Sequence, residues 1–321
     1  MVAVASAALS LPDQTRARLP DATGFVERDG VRVAWERYGD GHPTILLMPT
    51  WSIFPARHWR LQIPYLARQF RVVTFDGRGN GASDRPTEPA AYADTEFVAD
   101  AAAVLDASGT DRAVVAGLSM GGGYAVRFVV DHPDRALGLI LVGAAVNGRD
   151  RPEGTPDVGD DADFEEPRDL EYDDGWGRYN AHFWLHDWPA FVEWFVGTRI
   201  FSEPHSTKPI EDGVGWALAT DPEAMVASRR GSYLRRPASW PIPPSTEGRG
   251  LAFARRVRCP ALVIHGRDDQ IIHPENARRV AAAMGGRLVE IAGGGHAPNL
   301  REPVIVNHLI ASFVRNLGVP A

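Results

Sequence analysis

The sequence predicts an α/β protein: a mostly parallel sheet with helices on both faces, interrupted by a second, mostly helical block. Three observations carry this. Strand-like and helical apolar periods alternate from residue 24 to residue 119 and resume from residue 261. The runs 45–48 (ILLM) and 139–142 (LILV) are apolar on both parities, as strands covered on both faces must be. Between the two alternating stretches the composition changes, first to acidic and then to aromatic.

Taken in order, strand-like runs fall at 24–27, 31–38, 44–49, 70–75 and 113–117. Helical periods separate them. Residues 57–69 place Trp59, Ile63, Leu66 and Ala67 near one face, and 95–107 repeat apolar residues at helical spacing before Gly109. After the run at 139–142, residues 149–174 are rich in acid, Gly and Pro, with Asp160, Asp161, Glu165 and Glu166, and are expected to form a solvated linker. Aromatics then recur at helical spacing: Tyr179, Phe183, Trp184 and Trp188, followed beyond a break expected at Pro189 by Phe191, Trp194 and Phe195. A helical insertion is the expectation. The Pro-rich run 236–244 leads back to strands at 261–265 and 287–291 and helices at 274–284 and 303–317. No internal repeat is present.

With 321 residues the chain can bury a real core in one large domain or two modest ones. Hydrophobic residues at 44% and charged residues at 23% fit a globule and exclude wholesale disorder. The formal charge of −7 gives no reason to expect nucleic acid or an anionic membrane as partner. A lone cysteine, Cys259, cannot close an internal disulfide and fits a reducing compartment, so a cytoplasmic location is expected. The first twelve residues lack a basic leader, and no stretch reaches the roughly 18–20 apolar residues of a spanning helix.

Gly117-Leu118-Ser119-Met120-Gly121 follows one predicted strand and opens a helical period, the setting of a nucleophile elbow. Flanking positions at such a bend approach neighbouring backbone so closely that only small residues fit, and Gly117 and Gly121 meet that need. A serine hydroxyl is a poor nucleophile near neutral pH; it needs an imidazole to take its proton and a carboxylate to hold that imidazole. Two later segments supply them. His265-Gly266-Arg267-Asp268-Asp269-Gln270 begins where a predicted strand ends, at the edge where ligand-facing residues of parallel sheets lie, and Asp269 is the candidate carboxylate. Gly294-Gly295-His296-Ala297-Pro298 follows the last predicted strand, and His296 is the candidate base.

On these motifs the sequence resembles the α/β-hydrolase fold family, over nearly everything outside the insertion and the N-terminal tail. The family order of nucleophile, acid and histidine is met by Ser119, Asp269 and His296. Its G-x-x-D pattern selects Asp269 over Asp268, its G-H-x-P pattern is matched at 295–298, and residues 75–84 (FDGRGNGASD) look like its turn after the fourth strand. Some members place the acid after the sixth strand, but residues 143–147 hold no carboxylate here. The resemblance implies an eight-stranded, mainly parallel sheet; the chain is read as a core of 24–146 and 248–321, a cap at 147–247 inserted after strand 6, and a flexible tail at 1–23. The resemblance also implies an oxyanion hole made by the Met120 amide and by an amide after the third strand. There the family commonly carries His-Gly, whereas this chain reads Pro49-Thr50-Trp51; by position Trp51 donates, and Thr50 adds a hydroxyl.

The expected function is a serine hydrolase that cleaves an ester or lactone of a small to medium, largely apolar substrate through an acyl-enzyme on Ser119. Thr50, Trp184, Trp188 and His205 are candidate substrate contacts. Alternatives on the same residues are a carbon-carbon bond hydrolase, a cofactor-free oxygenase in which His296 alone deprotonates the substrate, and a non-catalytic ligand receptor. No cofactor and no metal are expected: His182 and His186 are four apart but lack the glutamate of H-E-x-x-H, and packing explains them more simply. The polar cluster 203–208, which holds the chain's only lysine, Lys208, reads first as a solvated turn and second as an edge of the pocket mouth. The sequence leaves the oligomeric state open.

Overall fold

Alternate residues of the central strands face opposite hydrophobic clusters, which explains why their sequences are apolar on both parities. Leu46, Val73, Val115, Leu141 and Val263 belong to one cluster, with Phe97 and Val104 of the helix Asp94–Ala107 and Val280 of the helix Pro274–Met284. Ile45, Val72, Val114, Ile140 and Ile264 belong to the other, with Trp59, Leu66 and, from the helix Pro303–Arg315, Val306 and Ile310. The strands are β1 (Ala22–Arg28), β2 (Val31–Tyr38), β3 (Thr44–Leu47), β4 (Arg71–Phe75), β5 (Ala113–Leu118), β6 (Ala136–Val142), β7 (Ala261–Gly266) and β8 (Arg287–Ile291). They form one eight-stranded sheet in the order β1-β2-β4-β3-β5-β6-β7-β8. β2 is antiparallel to both of its neighbours, and every other pairing is parallel. This is a computed structural model, and it describes residues 18–146, 164–167, 175–204, 207–234 and 249–319. Among the described residues no helix is long and apolar enough to cross a membrane.

Four local expectations change. Residues 57–69 do not form one helix but two short turns, Ala56–Trp59 and Ile63–Leu66, because Pro64 sits in the first turn of the second and has no N–H to continue the first. The break in the aromatic segment lies at Asp187 instead of Pro189. Asp187 caps the helix Trp188–Phe195 by accepting from the Ala190 amide at 3.0 Å, and Pro189 occupies its first turn, where a missing N–H costs nothing. β1 begins at Ala22, inside the expected tail. Within the expected linker 149–174, Phe164 is buried against Trp184 and Tyr179, so this residue packs in the core while its neighbour Glu165 pairs with Arg230 at 2.7 Å. The Pro-rich run 236–244 lies outside the described residues.

Between β6 and β7 the chain forms the helices Ala181–His186, Trp188–Phe195, Thr207–Leu218, Pro222–Leu234 and Arg249–Ala254. Asn180 starts the first of them by accepting from the amides of His182 and Phe183. Their aromatic faces build a third cluster around Trp184, Trp188, Phe191, Phe195 and Trp216, which closes over Trp51, Ile53 and Phe54 from the loop after β3. Polar ties complete the contact: Ser228 donates to Ser52 at 3.0 Å, and Arg60 pairs with Asp212.

Candidate active site

Ser119 stands between β5 and the helix Met120–Asp131 with φ 51° and ψ −122°, a left-handed conformation that costs a non-glycine residue about 1–3 kcal/mol. Its surroundings force the bend. The Ser119 amide donates to the Val142 carbonyl at 3.1 Å, and its carbonyl accepts from Gly122 at 2.9 Å and Ala145 at 2.8 Å. A Cβ on Gly117 would meet the Gly121 carbonyl, and one on Gly121 the Pro49 carbonyl, so both positions exclude any side chain. The bend directs the hydroxyl off the carboxyl end of the sheet.

His296 hangs from the loop after β8 and Asp269 from the loop after β7, and the sheet order brings them beside Ser119. Ser119 Oγ lies 2.9 Å from His296 Nε2, and His296 Nδ1 lies 2.9 Å and 3.1 Å from the two Asp269 oxygens. Asp269 Oδ1 also accepts from the amides of Ile271 at 2.8 Å and Ile272 at 2.9 Å. Burial works to raise the Asp269 carboxyl, but the facing His296 ring and its hydrogen bond, helped by His265 and the Ile272 amide, hold it below the usual carboxylate range. An ionised Asp269 accepts only, so it keeps the proton on Nδ1 and leaves the Nε2 lone pair to receive the serine hydroxyl.

His265 is a neighbour that the motifs do not point to. It is fully buried at the end of β7, its Nε2 lies 2.9 Å from the Ile272 carbonyl and 3.4 Å from Asp269 Oδ2, and burial holds it below the ordinary histidine range. The ring is therefore neutral near pH 7 and gives its one N–H to this corner.

Ser119 and His296 open into a cavity of about 130 Å³. Trp51, Phe54, Trp176, Tyr179, Phe195 and Ile200 are among its walls, and among the described residues no lining residue carries a formal charge other than a protonated His296. Thr50 lines it too, with its hydroxyl donating to the Leu118 carbonyl at 3.0 Å, which fixes the loop after β3 against the elbow. Trp51 and Met120 both border the cavity, and among the described residues neither amide has a hydrogen-bond acceptor.

Of the other candidate contacts, Trp184 and Trp188 do not line the cavity. They sit one layer behind it, Trp184 with its ring 5.6 Å from that of Trp51 and Trp188 donating to the Ala217 carbonyl at 3.1 Å. Trp176 and Tyr179 occupy the positions expected of them. His205 lies outside the described residues. His182 Nε2 is 3.0 Å from the Glu165 carbonyl, and Lys208 is an exposed partner of Asp212 at 2.8 Å. Glu203, from the cluster expected to be a solvated turn, is only 8% exposed and accepts from the Gly295 amide at 2.6 Å.

Residues 51–303 match the profile of the alpha/beta hydrolase fold. Among characterised sequences, the chain is 28% identical over 303 residues to 2-hydroxymuconate semialdehyde hydrolase of Pseudomonas sp. (strain CF600), covering 91% of this chain and 93% of that one. Among solved structures, it is similar to a thermophilic esterase from Thermogutta terrifontis, with 25% identity, a TM-score of 0.69 and coverage of 92% and 97%. The enol-lactonase from Burkholderia xenovorans LB400 shares the fold at 21% identity with a TM-score of 0.67, over 91% of this chain and all of that one, 100%.

Proposed function

The chain belongs to the α/β-hydrolase fold family, and from that premise we propose that it is a serine hydrolase cleaving esters or lactones with a small to medium, largely apolar acyl or aryl portion. The observation that carries the reading is the 2.9 Å contact between Ser119 Oγ and His296 Nε2 at the foot of an apolar cavity, with Asp269 behind the ring. Ser119 Oγ attacks the substrate carbonyl while its proton passes to His296 Nε2, and Asp269 stabilises the resulting imidazolium. The amides of Trp51 and Met120 hold the oxyanion, with the helix N-terminus at Met120 adding a favourable dipole. His296 then protonates the departing alkoxide, which leaves an acyl-enzyme. Water, deprotonated by the same nitrogen, attacks that ester and frees the acid. Segment 147–247 serves as a cap whose Trp176, Tyr179, Phe195 and Ile200 shape the acyl pocket.

The similarity to a 2-hydroxymuconate semialdehyde hydrolase favours a second reading, carbon-carbon bond hydrolysis by the same three residues. A muconate carries carboxylate, and among the described residues the cavity wall holds no arginine or lysine to pair it, which favours the neutral ester or lactone. The test is a panel of p-nitrophenyl esters and lactones of graded chain length, run beside Ser119→Ala and His296→Ala and with fluorophosphonate labelling. Turnover should fall by up to about a millionfold in either variant, with the label on Ser119 alone. Unchanged turnover in Ser119→Ala would overturn the proposal, and carbon-carbon cleavage without ester turnover would favour the second reading.

A further inference from the structure

The loop that carries His296 is anchored at the histidine and at the two residues before it. Gly294 gives its carbonyl to the Asp268 amide at 2.9 Å, and the His296 ring is held by Asp269, both contacts arising from the loop after β7. The third anchor comes from elsewhere. Glu203 Oε1 accepts from the Gly295 amide at 2.6 Å across 92 positions of sequence, from the helical segment between β6 and β7. A charged acceptor at that distance makes a strong bond. The fit is close: a Cβ on Gly295 would stand 2.8 Å from Glu203 Oε1 and 3.0 Å from its carboxyl carbon, so a side chain at 295 would push the carboxylate off the amide. Glu203 itself is seated by its neighbours, since Phe201 is buried in the third cluster and Ile200 lines the cavity. One side chain, three residues beyond the cavity-lining Ile200, therefore ties the helical segment to the residue preceding the histidine.

Burying a carboxylate for one amide is costly, and Glu203 Oε2 has no hydrogen-bond partner among the described residues. Loop anchorage alone could be had from a backbone carbonyl or a serine. What the glutamate adds is reach from the helical segment to the backbone beside His296.

We propose that Glu203 is a positioning residue: it fixes the His296 loop at the separation from Ser119 that proton transfer needs, and so makes acyl transfer depend on the seating of the helical segment over the site. The proposal rests on the serine-hydrolase reading of Ser119 and His296. Glu203 touches neither substrate nor reacting atoms and acts through the Gly295 amide.

The experiment is steady-state kinetics on a p-nitrophenyl ester, with the rate of fluorophosphonate labelling of Ser119, for Glu203→Ala, Glu203→Gln, Gly295→Ala and the double variant Glu203→Ala/Gly295→Ala. Glu203→Ala should lower kcat and the labelling rate ten- to a hundredfold with KM within threefold. Glu203→Gln keeps an oxygen for the amide and should stay within threefold of the unaltered protein. Gly295→Ala should be slow because its methyl meets the carboxylate, while the double variant should be no slower than Glu203→Ala, a non-additivity expected only of residues in contact. Where Glu203→Ala does not fold, Glu203→Asp, which keeps the charge and loses the reach, should show the same fall in kcat at unchanged KM. Glu203→Ala within twofold of the unaltered protein, Glu203→Gln as slow as Glu203→Ala, or additive losses in the double variant would overturn the proposal. An unaltered protein that neither turns over the ester nor labels at Ser119 instead refutes the serine-hydrolase reading, and the role of Glu203 falls with it.

Discussion

Replacing Asp269 by asparagine removes one charge and almost no volume, and the hydrogen bonds around it determine how the site responds. Oδ1 accepts from two amides, Ile271 at 2.8 Å and Ile272 at 2.9 Å. An asparagine must keep its oxygen there, because an NH2 group would face two N–H donors. Its nitrogen then takes the place of Oδ2, 2.9 Å from His296 Nδ1 and 3.4 Å from His265 Nε2. That nitrogen can only donate to His296, which drives the ring proton to Nε2 and leaves no lone pair for the serine. Loss of the correct tautomer costs a triad about 10⁴ in kcat, or about 5.4 kcal/mol of transition-state stabilisation at 1.36 kcal/mol per decade. Kinetics on a p-nitrophenyl ester and a thermal melt check this together. kcat should fall about 10⁴-fold with KM nearly unchanged, and the melting temperature should move little because both amide bonds survive. Activity within tenfold of the unaltered protein, or a loss confined to KM, would refute the tautomer argument.

Three further outcomes are expected. Gly121→Ala drives a methyl into the Pro49 carbonyl and displaces the loop that carries Trp51, so kcat for esters should fall at least about 10²-fold; an active Gly121→Ala with an unshifted melt contradicts the oxyanion role of that loop. His58 is fully buried beside the Pro55 carbonyl, and burial pushes it down to about 4, so the unfolded chain binds its proton first as pH falls below about 6.5. Stability should therefore drop between pH 7 and pH 5 by about 2 kcal/mol in urea titrations, and His58→Gln should remove that part of the slope. Arg78 and Asp100 form a buried pair with contacts of 2.7 Å and 2.9 Å, also joined by Arg28 at 2.6 Å. Asp100→Ala leaves the buried Arg78 guanidinium only Glu96 at 3.5 Å and the Ala91 carbonyl at 3.2 Å and should destabilise the fold by about 3 kcal/mol in denaturant unfolding, whereas a loss below 1 kcal/mol would mean water reaches Arg78.

The sheet and the convergence of Ser119, Asp269 and His296 were readable because both depend on local constraints that leave marks in sequence. Two-faced burial forces the apolar runs of β3 and β6, the carbonyl approaches at Gly117 and Gly121 admit only glycine, and strand ends in a parallel sheet converge on one edge. What escaped depends on tertiary depth or on long-range contact. Helical spacing marks Trp184 and Trp188 as lying on an apolar face but does not say which layer of that face meets the cavity, and Trp176 and Tyr179 stand in front of them. Glu203 lies in a charged, Pro-bearing turn, and its partner is a glycine amide 92 residues away. The apolar periodicity of 57–69 was outweighed by one proline.

The serine and the histidine it contacts are separated by 177 positions, and β7 and β8, whose following loops carry Asp269 and His296, come after β5 in sequence and lie outermost on that side of the sheet. During synthesis on a ribosome the nucleophile, its elbow and both flanking amides emerge long before the base. A nascent or clipped chain that ends before β8 therefore carries an unactivated alcohol, and competence arrives only when the residues through His296 have emerged and β7 and β8 have docked.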